Sequence, residues 1–360
     1  MSWRKRTVLW FIAGLLVAGF LQLAQTRILG GDATALLAIG SADPVSELVA
    51  QELGGAIVQQ GYGHDGQVYY AMALDPWGDR LGDLIGEPGY RYRRILYPAT
   101  AGLLGHLDGR VLLWSMIVLN AVSVGVAAAA ISMIAHRRSL PWWSPAVVLA
   151  NPGVWLGVEL LTPDVMALAL ALLGVTAFLD RRSVLASVLL SAAILTKEPY
   201  ATFAIGLALF VLIIEKDRRH AGRIAVMSVT PALIWWSVVR LRLPGGTLQG
   251  GNVDLPGRGL LQAASTWLMT PAKDQFYTLL SLGFVAGGIW VVLRHRRLIW
   301  SWLVVPMLGV AALSSHFIWD FGNNSVRVLA PLITLVAVAL IETRRQVTSH
   351  EVAPVAEAAS

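Results

Sequence analysis

The sequence contains no cysteine and carries little charge. Of its 360 residues, 14% are Asp, Glu, Lys or Arg, against about a quarter in ordinary soluble domains. The lack of cysteine rules out disulfides, thiolate catalysis and Cys-based zinc sites. Also missing are the G-x-x-x-x-G-K-[ST] phosphate loop and the H-E-x-x-H pair. P-loop nucleotide cradling and zincin-type hydrolysis therefore have no footing in this sequence. What remains is apolar: 56% of residues are hydrophobic and the mean hydropathy is +0.63. A soluble enzyme this apolar would have to break its hydrophobic runs every ~10 residues. These runs do not break, so the pattern predicts an all-α polytopic membrane protein.

The N-terminal MSWRKR is a basic cap on the apolar run Thr7–Ala24. No A-x-A cleavage site follows, and further runs come later, so this segment reads as a retained first helix with its N-terminus inside rather than a signal peptide. Further runs lie at 111–135, 142–161, 164–179, 184–196, 199–214, 224–240, 276–293, 298–315 and 326–341. Together they predict about ten transmembrane helices, several short for a ~30 Å core. Alternation from an inside start places Arg4, Lys5 and Arg6, Arg137 and Arg138, Arg181 and Arg182, Lys216, Arg218, Arg219 and Arg223, Arg294, Arg296 and Arg297, and Arg344 and Arg345 on inner segments. Most acids then fall outside: Asp65, Asp75, Asp79, Asp83, Glu87, Asp164, Glu198, Asp254, Asp274 and Asp320. This is the positive-inside arrangement. It accounts for the net charge of +6 without nucleic acid. One transmembrane domain over 1–345 is expected, followed by a small, polar, disordered cytoplasmic tail at 346–360.

The outer face is the elaborate one, with a first loop at about 25–110 and a second from about 241 to 275. Inside the first loop, Asp43 as N-cap and Pro44 at the first helical position predict a helix over 43–60, with Val45, Leu48, Val49, Ala56 and Ile57 on one face. The apolar segment at about 95–107 is too short to span and reads as an interfacial or partly inserted helix. Between them stands GYGHDGQVYYAMALDPW, Gly61–Trp77. Asp65 follows a glycine-rich turn at a helix start. Its ordinary role there is an N-cap, worth about 1 kcal/mol. Its neighbours suggest more. His64 can titrate near neutral pH. Tyr69 and Tyr70 offer rings to a sugar or lipid headgroup. Arg91, Arg93 and Arg94 offer guanidinium groups to a phosphate, or snorkel at the interface.

Other polar groups gather at the outer ends of spans. Asp164 follows Thr162-Pro163, which is good helix-start chemistry. Lys197 and Glu198 either pair with each other or meet a phosphate. FIWDFGNNSVRVLAP supplies His316, Asp320, Asn323, Asn324 and Arg327, the last at the outer end of the final span. Asn151-Pro152 breaks the run 142–161, either lining a cavity or making a kink. The glycine-rich LPGGTLQGGNVDLPGRG is a loop with lid-like composition.

The layout resembles the GT-C superfamily of membrane glycosyltransferases. GHDGQVYYAMALDP, YRYRRILYP, NPGVWLGVELLTPD, LTKEP and NNSVRVLAP look like a bacterial family of GT-C-like proteins linked to cell-surface glycopolymer formation, over about 1–345. The resemblance implies a polyprenyl-phosphate-linked sugar donor, a cell-envelope glycan or lipid acceptor, and inverting transfer at the external face of the plasma membrane. Asp65 matches the first-loop acid and would be the general base. The phosphate leaving group would draw on Arg91, Arg93, Arg94, Lys197 and Arg327, with Arg94 and Arg327 foremost. Many GT-C enzymes have a paired acid in this loop. Here the partner position is His64 and the next acid is Asp75, which leaves a divalent metal open. Two other functions compete: a flippase or transporter of lipid-linked sugars, which would place charges near mid-span in paired halves, and a non-catalytic scaffold of envelope assembly.

Overall fold

The computed structural model describes residues 1–106, 108–243 and 251–357, with side chains through Arg345. The described chain is all-helical. Helix α1 is Trp3–Ile28. The first loop then holds α2 (Ser46–Glu52), α3 (Asp65–Leu74), α4 (Pro88–Arg91) and α5 (Leu96–Leu104). Its two strands, β1 (Ile39–Gly40) and β2 (Val58–Gln59), pair in parallel. Helix α6 (Gly109–Arg137) begins the main bundle. It is followed by the short α7 (Ala146–Leu149) and α8 (Pro152–Glu159), then α9 (Asp164–Leu179), α10 (Ser183–Thr196), α11 (Ala201–Phe210) and α12 (Arg218–Arg242). Next come α13 (Arg258–Thr266), α14 (Ala272–Arg294), α15 (Ile299–Leu313), α16 (His316–Asp320), α17 (Gly322–Val328) and α18 (Ala330–Glu357).

Among the described residues, five helices are long and apolar enough to cross a membrane: Trp3–Ile28, Gly109–Arg137, Glu198–Glu215, Arg218–Arg242 and Ala272–Arg294. The pair Gly322–Val328 and Ala330–Arg345, bent by 59°, makes a sixth if taken as one broken span. These dimensions fit a polytopic helical membrane protein. Three other expected spans are the shorter apolar helices α9, α10 and α15. The run 142–161 is not a continuous helix. At its break the Asn151 carboxamide oxygen accepts from Gly153 N–H, while its amide donates to the Ala330 carbonyl and the Thr334 hydroxyl. The break is thus fully hydrogen-bonded and ties the run to α18.

The contacts sort the helix ends into two groups. At one end Arg137 pairs with Asp180, Arg138 with Glu342 and Arg181 with Glu215. The start of α1 joins them, with Trp3 stacked on His136 at 5.1 Å and Trp10 donating to the Trp142 carbonyl. At the other end lie the first loop, the α8–α9 turn, the α10–α11 turn and α17. The basic segments predicted to be inner fall at the first end, and the acidic loops at the second. Helices α1 and α6 cross closely, because a Cβ on Gly14 would sit 2.8 Å from the Gly125 Cα. This is the small-residue contact that membrane helices use.

The first loop departs from expectation in one helix. Helix α2 ends at Glu52 instead of running to 60, because Gly54 and Gly55 take φ of +66° and +112°, which a helix cannot continue through. Val45 and Val49 are buried as expected, whereas Ala56 and Ile57 lie past the stop and Val58–Gln59 turns into a strand. Asp43 accepts from Val45 N–H in the turn before the helix. At the other end of the chain, α18 enters the expected tail as far as Glu357. Residues 358–360 and the side chains of 346–357 lie outside the described residues, as does 244–250 of the expected lid-like loop.

Candidate functional site

The site is built around the start of α3. Fully buried Gln67 organises this turn. Its amide donates to the Tyr62 carbonyl and an Asp43 carboxylate oxygen, and its own oxygen accepts from Gly40 N–H. That fixes the glycine-rich turn to β1. Gly66 lets α3 seat against its neighbours, since a Cβ there would stand 2.6 Å from the Leu160 carbonyl oxygen and 2.9 Å from that of Leu37. Asp65 is then the first residue of α3, with His64 in the cap position and no capping bond from the His64 side chain. The N-cap role expected for Asp65 is therefore not the one it plays.

Asp65 instead faces two guanidinium groups. Arg91 Nη1 donates to its Oδ1 at 2.9 Å, and Arg327 Nη2 to its Oδ2 at 2.9 Å. Burial pushes the Asp65 carboxyl up, but Arg327 and Arg91 outweigh it and hold it well below the usual carboxylate range. Arg327 also lies 3.9 Å from the Asp164 carboxylate through its Nε, too far for a hydrogen bond. That Nε has no hydrogen-bond partner among the described residues. Asp164 is the first residue of α9 and pairs with Lys197, both side chains being about 95% buried, at 5% and 6% exposure. A chain of alternating charge therefore runs Arg91, Asp65, Arg327, Asp164, Lys197.

A second branch lies beside it. Arg94 donates through Nε to Glu198 Oε2 at 2.7 Å and through Nη1 to the Tyr69 hydroxyl at 3.2 Å. It also bonds the Tyr90 hydroxyl while stacking 4.4 Å from the Tyr90 ring centre. Asn252 of the second loop donates to the same Tyr90 hydroxyl at 3.1 Å. Lys197 and Glu198 thus do not pair with each other; each reaches a different branch. In total four cations (Arg91, Arg94, Lys197 and Arg327) meet three carboxylates (Asp65, Asp164 and Glu198). The site carries one more positive than negative charge. Arg93, next to Arg94, has a buried Nε with no partner among the described residues.

Two tyrosines behave differently from the reading of the sequence. Tyr70 does not belong to the site: it is fully buried, and its hydroxyl donates to the Gly109 carbonyl at the start of α6. Tyr69 is in the network, but its ring is buried edge-on to Tyr97 at 6.0 Å and offers no face to a ligand. Burial pushes its hydroxyl pKa up to about 12. The exposed ring of this turn is Tyr62, three residues before Asp65. His64 is shifted down by burial and by the Arg327 charge, so it is neutral at pH 7. Asp75 closes its own loop, its Oδ2 accepting from Arg80 N–H at 2.7 Å and Leu81 N–H at 2.9 Å. Two members of the network were not singled out from the sequence. Tyr90 sits inside the quoted YRYRR, while Asn252 carries no local signal.

The donor set does not fit a divalent metal. Both Asp65 oxygens are engaged by guanidinium groups, and the surroundings are net positive. Among the described residues no three His, Asp or Glu gather as candidate metal ligands. The other outer candidates form separate contacts: His316 pairs with Asp320 at 3.0 Å, and Asp320 accepts from Thr266. No protein-family model, no curated protein and no solved structure matches the chain.

Proposed function

We propose that the chain is a membrane glycosyltransferase of the GT-C kind, with about ten passes, acting at the outer end of the bundle on a polyprenyl-phosphate-linked sugar. The observation that carries this reading is one carboxylate, Asp65, held by two arginines inside a cluster with surplus positive charge. A phosphate-linked donor brings the anion such a cluster lacks. Its lipid tail lies between helices, which explains a charged site at the edge of an apolar bundle.

The reaction is a displacement with inversion. The acceptor oxygen attacks the anomeric carbon, its proton passes to Asp65, and the sugar–phosphate C–O bond breaks with the electron pair leaving on phosphate. The leaving anion is stabilised by Arg91 and Arg327, with Arg94 and Lys197 behind them. The resting clamp on Asp65 keeps it ionised but weakly basic. A phosphate that engages the same two guanidinium groups shares their field and raises the basicity of Asp65. The base therefore strengthens only in the loaded site, which suppresses transfer to water. The termini lie on the basic end, inside, by the positive-inside rule.

This reading predicts binding of the leaving group itself. Polyprenyl phosphate should bind the purified protein, and the uncharged polyprenol should bind at least tenfold more weakly, the order expected for losing charge-assisted hydrogen bonds. Arg91→Gln and Arg327→Gln should each narrow that gap. Equal affinity for the phosphate and the alcohol would remove the basis of the proposal.

A further inference from the structure

A second, unrelated feature lies at the opposite end of the bundle. The first turns of α10 and of α12 frame an open groove of about 720 Å³. Its rim carries Arg181, Arg182 and Arg223, and its wall is Val184, Val188 and Met227. These wall residues are exposed although apolar, at 64%, 55% and 39%. Arg181 has a carboxylate 3.5 Å away on Glu215. Arg182 and Arg223 have no salt bridge among the described residues. The nearby acids are already engaged: Asp180 by Arg137, Glu215 by Arg181 and His220, and Asp217 as the cap on His220 N–H. Ser183, another lining residue, bonds His220 Nε2 at 2.8 Å.

Snorkelling by itself lays an arginine stem along apolar surface and leaves its head in water. Here Arg182 and Arg223, brought from two separate helix starts and without a salt bridge among the described residues, line one groove whose wall is apolar. A guanidinium rim over an apolar wall between helices suits a phosphate headgroup with its acyl chains. We propose that this groove is a site for an anionic phospholipid of the leaflet at the basic end. The lipid phosphate sits between Arg182 and Arg223, and one acyl chain lies along Val184, Val188 and Met227. The site is independent of the transfer reading, since it shares no residue with the outer cluster.

The test uses the full chain purified in detergent. Native mass spectrometry would count retained phosphatidylglycerol and phosphatidylcholine for wild type and for Arg182→Gln/Arg223→Gln. A control variant, Arg294→Gln/Arg296→Gln, removes the same charge from the same end. Wild type should retain phosphatidylglycerol in preference to phosphatidylcholine. The groove variant should bind it about thirtyfold more weakly, the effect of two arginines at about fivefold each, while the control changes little. Thermal unfolding with added phosphatidylglycerol gives a second readout: wild type and control gain stability, and the groove variant does not. Equal losses in both variants would mean diffuse surface charge and would overturn the site. So would equal retention of the two lipids by wild type. A groove variant that fails to purify would be replaced by Val188→Trp, which fills the groove and should cause the same loss.

Discussion

Lys197→Met should destabilise the protein by about 3–5 kcal/mol, toward the low end of that range. Lys197 and Asp164 are paired with almost no solvent contact, so removing the cation leaves a buried carboxylate. Arg327, 3.9 Å from that carboxylate, offsets part of the loss. Replacing both partners, Lys197→Met with Asp164→Leu, should recover most of the stability, because two apolar groups of similar size leave no charge stranded. A double-mutant cycle of denaturant unfolding in detergent measures the coupling. A single-variant loss below about 1 kcal/mol would mean that water reaches the pair and that the buried network does not organise the outer end.

Asp65→Asn should lower transfer by a factor on the order of 10²–10⁴, the span of a lost general base. The change is nearly isosteric, but it removes the charge that Arg91 and Arg327 share, so the fold must be checked alongside. Polyprenyl-phosphate binding should survive or tighten, because both guanidinium groups are freed for the ligand. The split between lost turnover and retained binding separates a base from a merely structural acid. The pH dependence of stability adds a third readout. The Asp65 carboxyl is held below its unfolded value by the two arginines, so it contributes stability fully above pH ~4 and loses that contribution as pH falls toward its folded value. Wild type should therefore lose more stability than Asp65→Asn on acidification below that point. Turnover unchanged in a folded Asp65→Asn protein would move the base away from this residue.

Much of the outer cluster was legible one residue at a time. Charged groups are costly in an apolar chain and stand out for that reason, and Asp65, Arg91, Arg94, Asp164, Lys197, Glu198 and Arg327 all meet in one network. Their pairing was not legible. Asp65 and Arg327 are 262 residues apart, Arg94 and Glu198 104, Asp164 and Lys197 33. Nothing local tells Lys197 to pass over its neighbour Glu198. The turn ending α10 does that, sending the two side chains to opposite branches.

The misreadings have physical causes. Tyr69 and Tyr70 are consecutive on a helix and so point about 100° apart. One can face the charged cluster only if the other faces away, and Tyr70 is the one that turns to α6. The helix expected over 43–60 overlooked a Gly-Gly stop that was visible in the sequence. Asp65 and Asp164 stand in the first turn of their helices, where acids are favoured, yet neither caps. In each case long-range guanidinium or ammonium partners hold the carboxylate away from the free backbone amides.

The most direct measurement is turnover by the wild-type protein in proteoliposomes given a panel of polyprenyl-phosphate sugars and glycan acceptors. The expected result is release of free polyprenyl phosphate matched by a new glycosidic bond of inverted configuration, without added divalent metal. Donor lipid that is bound and carried across the bilayer with its sugar–phosphate bond intact would contradict it, and would make the outer cluster the gate of a transporter.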